Sequence, residues 1–236
     1  MYEVNNKDFE QSNRVTLSGE IVGQPTYSHE VFGEAFYETA IKVKRLSDAF
    51  DILPLTVSER LTCAFELYEG RKVSLVGQLR SYNKMIEGKS KLLLNVFVRE
   101  LYDFDDNLNP NGIDLDGFLC KPPIFRTTPF NREICDLLLA VNRAYNKSDY
   151  IPAIAWGRNA RFVKYMSVGQ EVCVSGRLQS REYQKRLSDT EVVTRTAYEV
   201  SISKIMLKST AKQAGANVLQ GDSVVDTSAV GFGNGI

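Results

Sequence analysis

The sequence predicts an all-β chain of two tandem five-stranded barrels, each with a short helix between its third and fourth strands, followed by a disordered C-terminal tail. Three observations predict this. First, the chain is one unit written twice. Val15-Thr-Leu-Ser-Gly19 answers to Ile113-Asp-Leu-Asp-Gly117, Val43-Lys-Arg45 to Val141-Asn-Arg143, and Asp51-Ile-Leu-Pro54 to Asp149-Tyr-Ile-Pro152, all at an offset of 98 residues. After one inserted residue, 70–81 answers to 169–180 at an offset of 99. A repeat this regular fixes the architecture before any single element is read. Second, apolar residues alternate along most of each unit, the period of strands with one buried face. Third, the period changes to that of a helix at the same place in both units.

In the second unit, 113–119 alternates as a first strand that contains a glycine. The Leu- and Val-rich run 133–143 is long enough for a second strand, and 150–156 reads as a third. Over 158–166 the period shifts. Phe162 and Met166 stand at i and i+4, with Ala160 and Val163 near them, and Gly169 stops the helix. Alternation resumes over 170–183 and, after the turn formers of 187–190, over 192–204. In the first unit Ser58 is the expected N-cap of a helix carrying Leu61, Ala64, Phe65 and Tyr68. Three strands, one helix and two strands is the element order of the OB-fold, a five-stranded Greek-key barrel. Gly19, Gly77, Gly117 and Gly176 suit sharply bent barrel strands. The expected division is a barrel over 1–104, a polar linker over 105–111, a second barrel over 112–208 and a flexible, glycine-rich tail over 209–236.

Composition excludes several classes of function. Cys63, Cys120, Cys135 and Cys173 form no CxxC pair and His29 is the only histidine, so metal-ligand spacing is missing. No metal, cofactor or catalytic residue is expected. Cys135 and Cys173 fall in apolar runs and read as core residues, and His29 reads as a loop residue. No apolar run approaches the length of a membrane-spanning helix, and MYEVNNKDFE lacks the pattern of a secretory signal. The expectation is a reduced, cytoplasmic setting. The formal net charge is zero, yet its distribution is uneven. Residues 1–111 hold 13 Lys/Arg against 17 Asp/Glu, and residues 112–208 hold 15 against 10. One acidic half and one basic half bear more on the choice of partner than the mean does.

Alternation assigns faces in the basic half. Val172, Val174 and Leu178 share the core parity, while Arg177, Gln179, Arg181 and Tyr183 share the other. Tyr150 and Trp156 have one parity on the third strand, with Ile154 between them. Each aromatic alone could be an ordinary barrel residue, and each cation part of a solvated face. Together, flat rings beside guanidiniums suit unpaired bases and their phosphates, at about 1–3 kcal/mol per stacked base.

Four segments of the second unit resemble the bacterial single-stranded DNA-binding protein family. They are Ile113-Asp-Leu-Asp-Gly-Phe-Leu119, Leu137-Leu-Leu-Ala-Val-Asn-Arg143, Ala153-Ile-Ala-Trp-Gly-Arg158 and, most specifically, 168–183. The likeness covers 113–206 well and 13–101 weakly. It implies an OB-fold and four base-stacking positions, which fall on Tyr145, Tyr150, Trp156 and Tyr183. The first unit has Ser47, Ile52, Ser58 and Lys84 at their equivalents. Phosphate contacts are expected from Arg143, Arg158, Arg177, Arg181, Lys185 and Arg186. The resemblance further implies four OB domains per assembly, hence a homodimer of this chain. Nucleoid association, roles in replication, recombination and repair, and proteins of those processes as further partners also follow from it. The tail departs from the family's acidic tip, since Asp222 and Asp226 are its only acids. The alternative reading is an OB-fold adaptor in a primosome-like or phage complex that touches DNA weakly. A metal-dependent nuclease is disfavoured, because no useful His, Asp and Glu constellation is present.

Overall fold

The computed structural model describes residues 12–86, 88–186 and 192–208. The expected tail therefore lies outside the described residues. The first barrel comprises β1 (Asn13–Val31), β2 (Glu34–Lys44), β3 (Phe50–Ser58), α1 (Glu59–Ala64), β4 (Lys72–Ile86) and β5 (Lys89–Asp103). The second comprises β6 (Asn111–Leu119), β7 (Ile124–Thr127), β8 (Glu133–Arg143), β9 (Lys147–Trp156), α2 (Arg158–Val163), β10 (Glu171–Arg186) and β11 (Val192–Leu207). The fold is all-β, with two tandem OB-fold barrels. β1–β2 pairing closes the first barrel, and β6–β8 pairing closes the second. The long strand β1 of the first barrel is split into β6 and β7 in the second. Pro122-Pro123 stands at the break, and proline has no N–H to give to a ladder.

Equivalent residues fill equivalent cores. Leu17, Ile41, Leu53 and Leu79 are buried in the first barrel, and Leu115, Leu139, Ile151 and Leu178 in the second. Each stabilises its barrel by about 1.5–3 kcal/mol through the apolar surface it removes from water. The repeated glycines allow strands to approach closely at the barrel corners. A Cβ on Gly19 would lie 2.2 Å from the Lys42 carbonyl oxygen, and one on Gly176 would lie 2.2 Å from that of Ser201.

The barrels join edge to edge. β1 pairs antiparallel with β6, and Val15 sits opposite its own repeat equivalent, Ile113. Asn13 faces Leu115 and Leu17 faces Asn111, so the register is symmetric about that central pair. The buried Asn13 amide donates to the Leu79 carbonyl at 2.8 Å and accepts the Leu79 N–H at 2.9 Å. Asn111 does the same with Leu178, at 2.7 and 2.9 Å.

Several expectations need correction. Both helices are one and a half turns long, so Met166, Phe65 and Tyr68 lie beyond them. Ser58 occupies the N-cap position, but its side chain makes no capping bond. His29 lies in β1, stacked on Phe36 at 5.2 Å between ring centroids, rather than in a loop. Cys135 is buried, and burial pushes its thiol up to about 11. Cys173 faces away from the core between buried Val172 and Val174, and is only half-buried. Gln179, expected to face solvent, is buried.

Candidate nucleic-acid interface

Trp156 ends β9, where Gly157 turns the chain into α2 with a φ of +50°. Its indole is 37 % exposed, and its Nε1–H donates to the Ser201 hydroxyl on β11 at 3.2 Å. That bond anchors one edge of the ring, which stays partly exposed. One hollow borders it, and a second reaches its partner Ser201. One, of about 470 Å³, is lined by Thr127, Asn131, Arg132, Glu133 and Gly157 beside Trp156 itself. The other, of about 600 Å³, includes Ser201 and lies between the barrels. There Lys44 and Arg45 of the first barrel face Arg177 and Ser203 of the second.

Tyr150 is exposed near the start of β9, and its backbone N–H donates to the Ser81 hydroxyl of the first barrel at 2.7 Å. Tyr145 is 93 % exposed at the β8–β9 hairpin tip. Tyr145 and Asn146 both have positive φ, 60° and 54°, the geometry of a tight turn that follows the twist of its strands. Tyr183, on β10, lies 5.9 Å from the Arg181 guanidinium, measured to its ring centroid. All four rings reach the surface, on β9, its hairpin and β10.

The arginines divide into two groups. Arg158 is exposed at the start of α2. Arg181 is exposed on β10, 3.6 Å from Glu199. Arg143 and Arg177 belong to the seam between the barrels. Arg143 lies 3.4 Å from Asp149, and Arg177 lies 3.6 Å from Asp51. Both carboxylates are buried. The side chains of Lys185 and Arg186 lie outside the described residues. Two further arginines of this barrel are tied up in ion pairs, Arg126 by Asp136 at 2.7 Å and Arg161 by Glu133 at 3.0 Å.

The seam was not foreseen from the sequence. Asp51 accepts the Ser180 N–H at 2.7 Å and the Ser180 hydroxyl at 3.0 Å, while Arg45 Nε donates to it at 2.8 Å. Asp149 accepts the Ser81 N–H at 2.7 Å and an Arg80 bond at 3.0 Å. The two carboxylates are repeat equivalents, each reaching into the other barrel. Burial alone would raise the Asp51 carboxyl, but the Arg45 and Ser180 hydrogen bonds outweigh it and hold it below its ordinary value. From this seam a polar chain runs outward. Arg177 donates to Gln179 at 3.0 Å, Gln179 donates to Glu199 at 2.8 Å, and Glu199 meets Arg181 beside Tyr183. Sequence reasoning missed Lys44 and Arg45 as cations of the second barrel's face. The one available signal was that Arg45 occupies the repeat position of Arg143.

Among the described residues no group of three or more His, Cys, Asp or Glu is placed to hold a metal ion. No described helix is long and apolar enough to cross a membrane.

Residues 110–207 match the model of the single-strand binding protein family. A single-stranded DNA-binding protein from Clostridium tetani is 32% identical over 120 residues, 48% of this chain and 83% of that protein. Single-stranded DNA-binding protein 1 of Clostridium acetobutylicum is 37% identical over 114 residues, 44% of this chain and 98% of that protein. The crystal structure of the single-stranded DNA-binding protein from Thermus aquaticus superposes with a TM-score of 0.69. It covers 84% of this chain and 94% of that one at 19% identity, a likeness of fold.

Proposed function

This chain belongs to the single-strand binding protein family, and from that premise we propose that it binds single-stranded DNA without sequence preference, through the second barrel. Bases stack on Trp156, Tyr150, Tyr145 and Tyr183, and phosphates meet Arg158 and Arg181. Arg143 and Arg177 contribute from the seam, and Lys185 and Arg186 extend the basic face. The observation that carries this reading is Trp156, partly exposed, anchored at one edge by Ser201 and bordering a hollow that Arg132 lines, while a second hollow lined by Lys44, Arg45 and Arg177 reaches Ser201. In this reading the protein is a binding protein with no catalytic residue. It covers exposed strands in replication, recombination and repair, in the cytoplasm at the nucleoid, and recruits proteins of those processes. Two chains, each with two OB barrels, form the working homodimer. The second barrel, over 112–208, is the main binding unit, and the first, over 1–104, completes the assembly.

Titration with oligo(dT) tests the core of the proposal, because Trp156 is the only tryptophan. Stacking quenches its fluorescence, and affinity falls as salt rises through counterion release. Absence of both quenching and salt dependence would refute it. Retention of a partner protein with only weak oligonucleotide binding would favour the adaptor reading.

A further inference from the structure

The first barrel lacks aromatics at the repeat equivalents of all four stacking positions. It nonetheless carries a trough of about 610 Å³ on the matching side, close to the seam. We infer that this trough is a second single-strand-binding surface, its rings standing at positions other than those equivalents, and that both barrels share it. The inference rests on the single-strand reading of the second barrel.

The repeat relates this trough to the face of the second barrel that carries Tyr183, since Arg80, Ser81 and Lys84 in its lining answer to Gln179, Ser180 and Tyr183 at the 99-residue offset. Strand pairing shows where the counterpart of Trp156 has gone. In the second barrel Ile154 on β9 pairs with Ser201 on β11, and Ser201 holds the indole two residues further along β9. In the first barrel the equivalent pair is Thr56 on β3 and Phe97 on β5, and the tryptophan position is Ser58. The aromatic has therefore moved to the neighbouring strand, from the indole position to that of its hydrogen-bond partner. Phe97 is half-buried and backed by Phe36 at 5.7 Å between centroids, and Phe36 is stacked in turn on His29. Tyr82 is exposed on β4, in the same trough.

The cations follow the same logic. Lys84, Arg99 and Arg143 line the trough, and Arg143 comes from the second barrel. Glu38 is the one carboxylate in the lining, and the Ser28 hydroxyl bonds it at 2.7 Å. Rings with adjacent positive charge suit a strand that offers bases on one side and phosphates on the other. The trough also abuts the second barrel's binding side. Ser81, in its lining, accepts the backbone N–H of Tyr150. A strand leaving Tyr150 thus crosses the seam by Arg143 and enters the trough without leaving the protein surface.

The test uses the full chain and keeps Trp156 as the reporter. Tyr82→Ala combined with Lys84→Glu changes two exposed side chains. A short oligo(dT) that fills only one barrel is expected to quench Trp156 with unchanged affinity. A long oligo(dT) is expected to bind about tenfold more weakly, and poly(dT) titration to show an occluded length shorter by the span of one OB groove, about 4–16 nucleotides. Lys84→Gln, which removes only charge, is expected to lower the salt slope for the long strand by about 0.7 and leave the short one alone. Equal loss on both lengths, or loss on neither, would overturn the inference. Failure of the unaltered chain to quench would sink the reading of the second barrel instead.

Discussion

The carboxylate of Asp51 in the first barrel accepts the backbone N–H of Ser180 in the second at 2.7 Å. Asp149 accepts the N–H of Ser81 in the opposite sense at the same distance. Two buried acids therefore cross-brace the barrels, on top of the β1–β6 ladder. Removing either leaves arginines with no buried counter-charge. Asp51→Ala and Asp149→Ala are each expected to destabilise the chain by about 3–5 kcal/mol, measured by urea denaturation. A loss below about 1 kcal/mol would mean that the ladder alone holds the seam.

The Asp51 brace also has a defined pH window. Its folded value lies below the ordinary carboxylate range, so its contribution is complete at neutral pH. It begins to fade below about pH 4, where the unfolded carboxyl takes up its proton, and is gone once pH falls through the depressed folded value. Thermal melts between pH 7 and pH 2.5 should show the unaltered chain losing stability faster than Asp51→Asn, with the two curves converging in acid. Parallel curves would contradict the assignment.

Stacking and phosphate contact are expected to separate in binding measurements. Trp156→Ala should lose about 1–3 kcal/mol of affinity for labelled oligo(dT), read by fluorescence anisotropy, with the salt slope retained. Arg158→Ala should keep most affinity but reduce the slope by about 0.7. Either variant behaving like the other would reverse the assigned roles.

Arg143→Ala should behave differently from Arg158→Ala, because its guanidinium is tied to buried Asp149. A fall in melting temperature is expected alongside any loss of affinity. An affinity loss with an unchanged melt would place Arg143 wholly on the binding face.

Gly176→Ala tests the barrel corner. Its new methyl would meet the Ser201 carbonyl oxygen at 2.2 Å, so a strand must shift. The expected cost is about 1–3 kcal/mol, seen as a drop of several degrees by calorimetry. Displaced Ser201 should also loosen the indole it holds and red-shift Trp156 emission.

The barrels were legible because their cores repeat. Once Leu17 is matched to Leu115 and Leu79 to Leu178, alternation gives the strands and their buried faces. The seam was not legible. Which strand edge meets which is a matter of backbone pairing, and side-chain periodicity does not record it. Asp51 and Asp149 stood in the repeat as matched acids, but their partners lie 129 and 68 residues away. For the same reason Arg177 and Gln179 read as one open face, whereas the neighbouring barrel covers part of it. The four rings proposed to stack came through their resemblance to a family, residue by residue. Phe97 fell outside that mapping because it occupies the position of a serine.

The β1–β6 ladder makes the local two-fold axis a property of a single polypeptide. Identical subunits related by such an axis must carry identical surfaces. Halves joined in one chain are free to diverge, as the acidic and basic halves here have done. A nucleic-acid strand has a 5′ and a 3′ end, and one laid across this axis would meet two chemically unlike halves in sequence. The fusion thus gives each chain a sense of direction that a symmetric pair of barrels lacks.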